Sequence, residues 1–263
     1  MPNGFFERII FILQHYGMSL LKGAGTTIVI AVVSTFIGCI IGFLVGLVQT
    51  IPLTERDSII KKIFLRFVKI ILNIYVEVFR GTPMLVQAVF IYYGLAFAGV
   101  FLNMWLAAFL IVSINTGAYM AETVRGGILS IDEGQNEGAK AIGMNHFKTM
   151  VNVILPQALR NIMPQIGNNL IINIKDTCVL SVIGTVELYF ASKGVAGAYL
   201  TYFETYTITM VMYLIMTIFF SRLLRVVERK MAGPKGYDLA TTDTLAHTSG
   251  MTNYPSGKGR GRI

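Results

Sequence analysis

Four ionisable residues, Glu77, Arg80, Lys175 and Asp176, fall inside stretches that are otherwise almost wholly apolar. A charge at membrane depth costs about 2.5–3.5 kcal/mol on insertion scales, so a chain that keeps several has partners or a use for them. The first two lie beside helix-breaking Gly81-Thr82-Pro83, and the other two follow Asn168, Asn169 and Asn173. A broken helix offers bare N–H groups to a carboxylate, and a nearby acid can receive an ammonium. An amino acid carries both charges. The expectation is a midplane site built from Arg80, Thr82 and Gln87, with Asp176 and Ser181 from a later span, and with Tyr119 and Glu122 as wall or gate residues. Plainer readings stay open: Arg80 pairing with Glu77 one turn away, Lys175 snorkelling to the interface, and Tyr119 anchoring at the membrane surface.

The elements that would position these residues follow from composition. Of 263 residues, 54% are hydrophobic and only 14% charged, and the mean hydropathy is +0.63. Soluble chains carry roughly 25% charged residues, so this one reads as a membrane protein. The net charge of +8 does not imply nucleic acid, because the basic residues lie in gaps between apolar runs rather than on one wet surface.

A bilayer core of about 30 Å needs about 20 apolar residues in a helix. Five runs of that order occur, near 24–50, 63–97, 103–124, 164–186 and 204–226. The expected fold is all-α, a polytopic membrane protein with about five transmembrane helices. The second run is too long for one straight span and should break near Gly81 and Pro83. Arg56, Lys61, Lys62, Arg66 and Lys69 follow span one, Arg125, Lys140, Lys148 and Arg160 follow span three, and the tail is basic. Arg8, Lys22 and Lys193 alone occupy the other side. The positive-inside rule then places the N-terminus outside and the C-terminus in the cytoplasm. The expected organisation is an extracellular or periplasmic segment 1–23, a membrane domain 24–230 with a cytoplasmic loop at 128–158, and a flexible cytoplasmic tail 231–263. The tail's basic end could touch membrane lipid, though plain solvation is the simpler expectation.

Gly38, Gly42 and Gly46 recur every four residues on span one, which predicts close helix packing, with a flexing point as the alternative. Cys39 and Cys178 lie in apolar segments and read as small core residues. No cleavable signal peptide is evident, so the first span is expected to direct insertion. The sequence carries no G-x-x-x-x-G-K-[ST] loop and no G-x-S-x-G elbow. His15, His146 and His247 stand far apart, without ligand-spaced neighbours, so neither metal nor cofactor is expected in this chain.

The polar stretch Glu137 to Gln157, "EGAKAIGMNHFKTMVNVILPQ", interrupts the apolar runs. Ser130 and Glu133 have capping-box spacing, predicting a helix from about Ile131. Gly143 can end that helix in a left-handed turn, Asn145 can cap a second, and Pro156 should disrupt it. Two short helices at an angle would result, either a docking knob for a cytoplasmic partner or an amphipathic elbow on the membrane.

The spacing Glu137-Gly138-Ala139, then Gly143, then Val153-x-Leu155-Pro156 resembles the "EAA…G…I-x-L-P" loop of ATP-binding-cassette importer permeases. Gly138 and Val153 depart from the usual alanine and isoleucine by small changes. "EVFRGTPMLVQ" from Glu77 and "NNLIINIKDTCVLSVIGTVEL" from Asn168 are similar to the polar amino-acid branch of that family, although Cys178 stands where serine is usual.

The resemblance spans roughly residues 20 to 230 and implies a non-catalytic permease subunit in a bacterial cytoplasmic membrane. It implies ATPase coupling through Glu137, Gly138, Ala139, Gly143, Met144, Leu155 and Pro156. The implied partners are a second permease subunit, two cytoplasmic ATPase subunits that hold ATP and Mg, and an extracytoplasmic substrate-binding protein. An amino acid is the implied substrate, and the acidic residues near the expected site lean towards a basic one. The rivals are an ion- or proton-coupled secondary transporter using Glu77 or Asp176, which would usually show inverted repeats, and a polytopic membrane enzyme.

Overall fold

The structure, a computed structural model, describes residues 4–55 and 57–231. Beyond Met231 the expected tail lies outside the described residues. Among the described residues every regular element is helical: α1 (Phe5–Thr50), α2 (Ile59–Gly81), α3 (Met84–Phe97), α4 (Met104–Leu129), α5 (Glu133–Ala141), α6 (His146–Thr149), α7 (Leu155–Asp176), α8 (Leu188–Tyr199) and α9 (Tyr202–Met231). A π-helical turn, Met150–Ile154, joins α6 to α7, and a 3₁₀ stretch, Thr177–Ile183, follows α7.

Three helices are long and apolar enough to cross a membrane, α1, α4 and α9, and the bent pair His146–Ile183 with Leu188–Tyr199 makes a fourth if counted as one span. The second of the five expected runs is not one helix. It divides into α2, which carries Lys61, Lys62, Arg66, Lys69, Glu77 and Arg80, and α3, which has only 14 residues. The break falls at Thr82-Pro83, where the expected Gly and Pro put it.

α1 starts at Phe5, not near residue 24, and its 46 residues would extend roughly 70 Å at the usual rise. From Phe5 on, the supposed N-terminal segment is therefore the first half of this helix. It is tied down along its length. Arg8 pairs with Glu204 of α9 at 3.0 Å, the Tyr16 and Tyr199 hydroxyls share a hydrogen bond, and Ile12 and Leu20 are fully buried.

The core is organised around α1 against α4. Cβ atoms added at Gly38, Gly42 and Gly46 would lie 2.6 Å from Thr116 Cβ, 2.7 Å from the Ala121 nitrogen and 2.8 Å from Val124 Cβ. The four-residue glycine repeat is thus the contact seam that lets two backbones meet. Across it, Asn173 of α7 donates to Thr35 Oγ1 of α1 (2.8 Å) and Thr116 Oγ1 of α4 (2.9 Å), so one amide fastens three helices.

Glu187 is fully buried. Its carboxylate caps α8 by accepting from the Tyr189 and Phe190 nitrogens at 2.8 and 2.7 Å, and it takes the Tyr213 hydroxyl of α9 at 3.0 Å. Beside it, Gly23 lets α1 approach the Leu188 backbone, since a Cβ there would stand 2.9 Å from Leu188 Cα. Cys39 and Cys178 are free and half-buried.

Candidate functional site

The α2–α4 face gathers three of the expected residues. Arg80, in the last turn of α2, places its guanidinium 3.7 Å from Glu122 on α4 and 5.7 Å from the centroid of the Tyr119 ring. Glu122 also accepts from Arg125 at 2.5 Å, one turn further along its own helix. The Glu77 pairing left open by the sequence is not the one formed. Two cations share one carboxylate, and the looser of them is Arg80. About 41% of the Arg80 side chain and 34% of that of Glu122 remain accessible, and Tyr119 is 41% exposed. The cluster therefore presents surplus positive charge at an open face.

Thr82 and Gln87 meet each other, but for a structural purpose. The Gln87 amide nitrogen donates to the Phe79 carbonyl (2.9 Å), the Thr82 carbonyl (2.9 Å) and Thr82 Oγ1 (2.7 Å). Its oxygen accepts from Asn115 of α4 at 2.9 Å. Gln87 is 6% exposed and holds the ends of α2 and α3 that Pro83 leaves without helical partners. Replacing Gln87 by leucine strands the Thr82 carbonyl and leaves the Phe79 carbonyl and the Asn115 amide only the 3.3 Å bond between them. The expected loss is about 1–3 kcal/mol for each unsatisfied buried group, read as a lowered thermal midpoint of the purified protein.

Asp176 and Ser181 stand elsewhere, at the end of α7 and within the 3₁₀ stretch. Among the described residues no hydrogen bond or ion pair links either to Arg80, and Asp176 itself has none. A seven-residue 3₁₀ run is long for that geometry and marks a place where the helical ladder is weakened. Asn115, Asn173 and Glu187 are the polar residues sequence reasoning did not single out as functional. Glu187 had one readable signal, a lone acid just after Gly184 and before an apolar helix.

The loop between α4 and α7 forms a second candidate surface. Its first helix starts at Glu133, not Ile131, because the Asp132 carboxylate caps it through the Gly134 nitrogen (2.7 Å). The Ser130 hydroxyl instead turns back to the Gly127 carbonyl at 2.9 Å. Gly143 takes the expected left-handed conformation at φ +80°, and Asn145 caps the next helix through the Lys148 nitrogen at 2.9 Å.

Pro156 breaks nothing. It is the second residue of α7, and the preceding π turn, in which the Leu155 nitrogen bonds back to the Met150 carbonyl, admits its ring and missing donor. The chain thus stays helical from His146 to Asp176.

Of the expected coupling residues, Glu137, Gly138, Gly143 and Pro156 are exposed, while Met144 and Leu155 are half-buried. Ala139 faces inward, 5% exposed, so it supports the loop from beneath and is closed to a partner. The exposed end carries instead Ile142 at 79% and Phe147 at 73%. Val124, Ile128, Ile154, Ala158 and Ile162 form one core beneath it, joining the loop to α4 and α7.

Residues 58–233 match the family described as binding-protein-dependent transport system inner membrane component. The glutamine transport system permease protein GlnP of Escherichia coli (strain K12) is 37% identical over 214 residues, covering 81% of this chain and 92% of that protein. The arginine transport system permease protein ArtQ of Bacillus subtilis (strain 168) is 33% identical over 213 residues, covering 81% and 92%. A crystal structure of an amino acid ABC transporter with histidines superposes with a TM-score of 0.75 at 34% identity, over 88% of this chain and 100% of that one. The MetNI methionine ABC transporter shares the fold, with a TM-score of 0.66 at 22% identity over 82% and 97%.

Proposed function

Because the chain belongs to the family of binding-protein-dependent transport system inner membrane components, we propose that it works as one half of a translocation pathway driven from the cytoplasmic side by separate ATPase subunits. It is the membrane-spanning permease subunit of an amino-acid importer of the ATP-binding-cassette type. The relatives give no support to an ion-coupled secondary transporter.

A second permease copy or paralogue completes the pathway, two ATPases bind ATP with Mg, and an extracytoplasmic protein delivers the cargo. The membrane is the bacterial cytoplasmic one, with the α4–α7 loop inside. The loop is the observation that carries this reading. A charged and apolar tip, Glu137, Ile142 and Phe147, stands exposed on a base packed into two membrane helices. Force on the tip would reach α4 and α7 through that shared core.

The cargo is a polar amino acid whose carboxylate meets Arg80. The weak 3.7 Å contact with Glu122 lets Arg80 turn to a substrate while Arg125 keeps Glu122 neutralised. The Tyr119 ring is the adjoining wall. Thr82 and Gln87 act indirectly, by holding the helix break that ends α2 at Arg80. Asp176 and Ser181 supply an acid and a hydroxyl further along the path, at the 3₁₀ stretch.

The test is ATP-driven uptake of radiolabelled arginine, glutamine, glutamate and cystine into proteoliposomes holding the chain, its ATPase and its binding protein. One amino acid should accumulate, and Arg80→Gln should reduce its uptake about tenfold or more through loss of a charged hydrogen bond. Uptake driven by an ion gradient without ATP would refute the importer. Unchanged uptake by Arg80→Gln would remove only the carboxylate contact.

A further inference from the structure

At the end of the helical bundle where α3 finishes and α4 begins, opposite the loop, lies a half-open cleft of about 650 Å³. α1 forms one side with Lys22, the start of α4 a second with Asn103, Met104 and Trp105, and the turn after the 3₁₀ stretch its inner end with Thr185. Gly184, in the left-handed region at φ +87°, bends that turn against Met104 and so presents Thr185. Thr185 is 4% exposed, yet among the described residues its hydroxyl has no hydrogen-bond partner. Buried hydroxyls are nearly always bonded, and one left without a partner in a cleft points to a ligand.

The remaining polar groups narrow the chemistry. Among the described residues the Lys22 ammonium takes part in no ion pair, and no carboxylate lines the cleft. Asn103 uses its side-chain oxygen to cap α4 through the Trp105 nitrogen, at 2.8 Å, which leaves its amide N–H groups to the cleft. Three donors and no acid select an anion. Ser19 and Thr26 add hydroxyls, that of Thr26 donating to the Lys22 carbonyl at 3.2 Å. The rest of the wall is apolar and aromatic, with Tyr92 on α3 and Trp105 in the first turn of α4, where such a ring sits at headgroup level.

We propose that this cleft binds the phosphate of an anionic phospholipid, held by Lys22, Thr185 and Asn103, with its glycerol and upper acyl atoms against Met104 and Trp105. A free amino-acid carboxylate would satisfy the same donors. An amino acid's ammonium, however, would find no acid here, and its small body would leave the apolar wall uncovered.

Trp105 is the only tryptophan in the chain, so its emission reports directly on the cleft. The purified full chain in dodecylmaltoside micelles is titrated with phosphatidylglycerol and, separately, with phosphatidylcholine of the same acyl chains. A saturable change in Trp105 emission should occur with phosphatidylglycerol. Half-saturation should rise about fivefold in Lys22→Gln, the effect of one cation near a lipid surface, and should be restored in Lys22→Arg. Thr185→Val should weaken the response as well and stay fully folded, since it removes a hydroxyl that makes no hydrogen bond among the described residues. Equal responses to the two lipids, or a phosphatidylglycerol response unchanged in Lys22→Gln, would overturn the proposal. A Lys22-dependent change produced by free glutamine or arginine without added lipid would overturn it too and give the cleft to the cargo. None of these outcomes bears on ATP-driven uptake, which is measured separately.

Discussion

Gly42→Leu yields no folded protein. A Cβ at that position meets Met120 Cβ, and it would also stand 2.7 Å from the Ala121 nitrogen and 2.8 Å from the Gly117 carbonyl oxygen. Two of these three atoms are backbone, which cannot turn aside as a side-chain tip can. Overpacking usually costs about 1–3 kcal/mol because neighbours shift. Here the only available shift is separation of α1 from α4, which also unfastens the Asn173 bonds to Thr35 and Thr116. Gly42→Ala should already lower the thermal midpoint. Gly25→Ala, on the same helix with nothing within 4 Å of its Cβ, should leave it unchanged. Size-exclusion profiles and melting curves of the three detergent-purified variants decide the matter. A monodisperse Gly42→Leu protein melting like the parent would show that α1 and α4 are not held together by this seam.

The second large effect is on transport without any effect on folding. Glu137 is exposed, on a helix whose cap, Asp132, and whose turn, Gly143, do not involve it. Glu137→Arg should therefore melt like the parent. If the loop tip is the ATPase contact, reversing that charge sets like against like, or leaves a partner cation unpaired, at a cost of several kcal/mol. Uptake should then fall about tenfold or more. ATPase activity of the assembled complex should lose its dependence on the binding protein in parallel. Phe147→Asp, at an exposed apolar position on the same tip, should do the same. Unimpaired uptake by both variants would place the coupling contact elsewhere on the chain.

Local chemistry was the most readable part of this sequence. The break at Thr82-Pro83, the left-handed Gly143 and the Asn145 cap each depend on neighbours within a few residues, the glycine repeat is legible from its own spacing although its partners lie on α4, and all appear where the letters put them. Ser130 misled for a local reason as well. Its spacing to Glu133 fits a capping box, but Asp132 sits directly before Glu133 and takes the cap, leaving the serine to close α4. Hydropathy averaged over 63–97 hid how unlike the two halves of that run are, because it blends a charged helix with a short apolar one.

The site was harder to read, since a polar residue in an apolar run looks alike whether it meets cargo or backbone. Gln87 spends its amide on carbonyls at the helix break. Glu122 spends its charge on Arg80 and Arg125. Glu187 takes the hydroxyl of Tyr213 from another helix, and Thr27 caps the adjoining Leu188 nitrogen from far earlier in the chain. Only folding brings such partners together.

The π turn at Met150–Ile154 sets a rule for insertions and deletions. It holds one residue more than an α-helical turn needs, so removing one there would restore an unbroken ladder between α6 and α7. The ladder would be more regular, but everything before it would be drawn towards α7 and turned by roughly a few tens of degrees around its axis. Ile142 and Phe147 would point away from their present direction. In this segment chain length acts as an angular setting, and the phase of the exposed tip is encoded by a residue count rather than by any side chain.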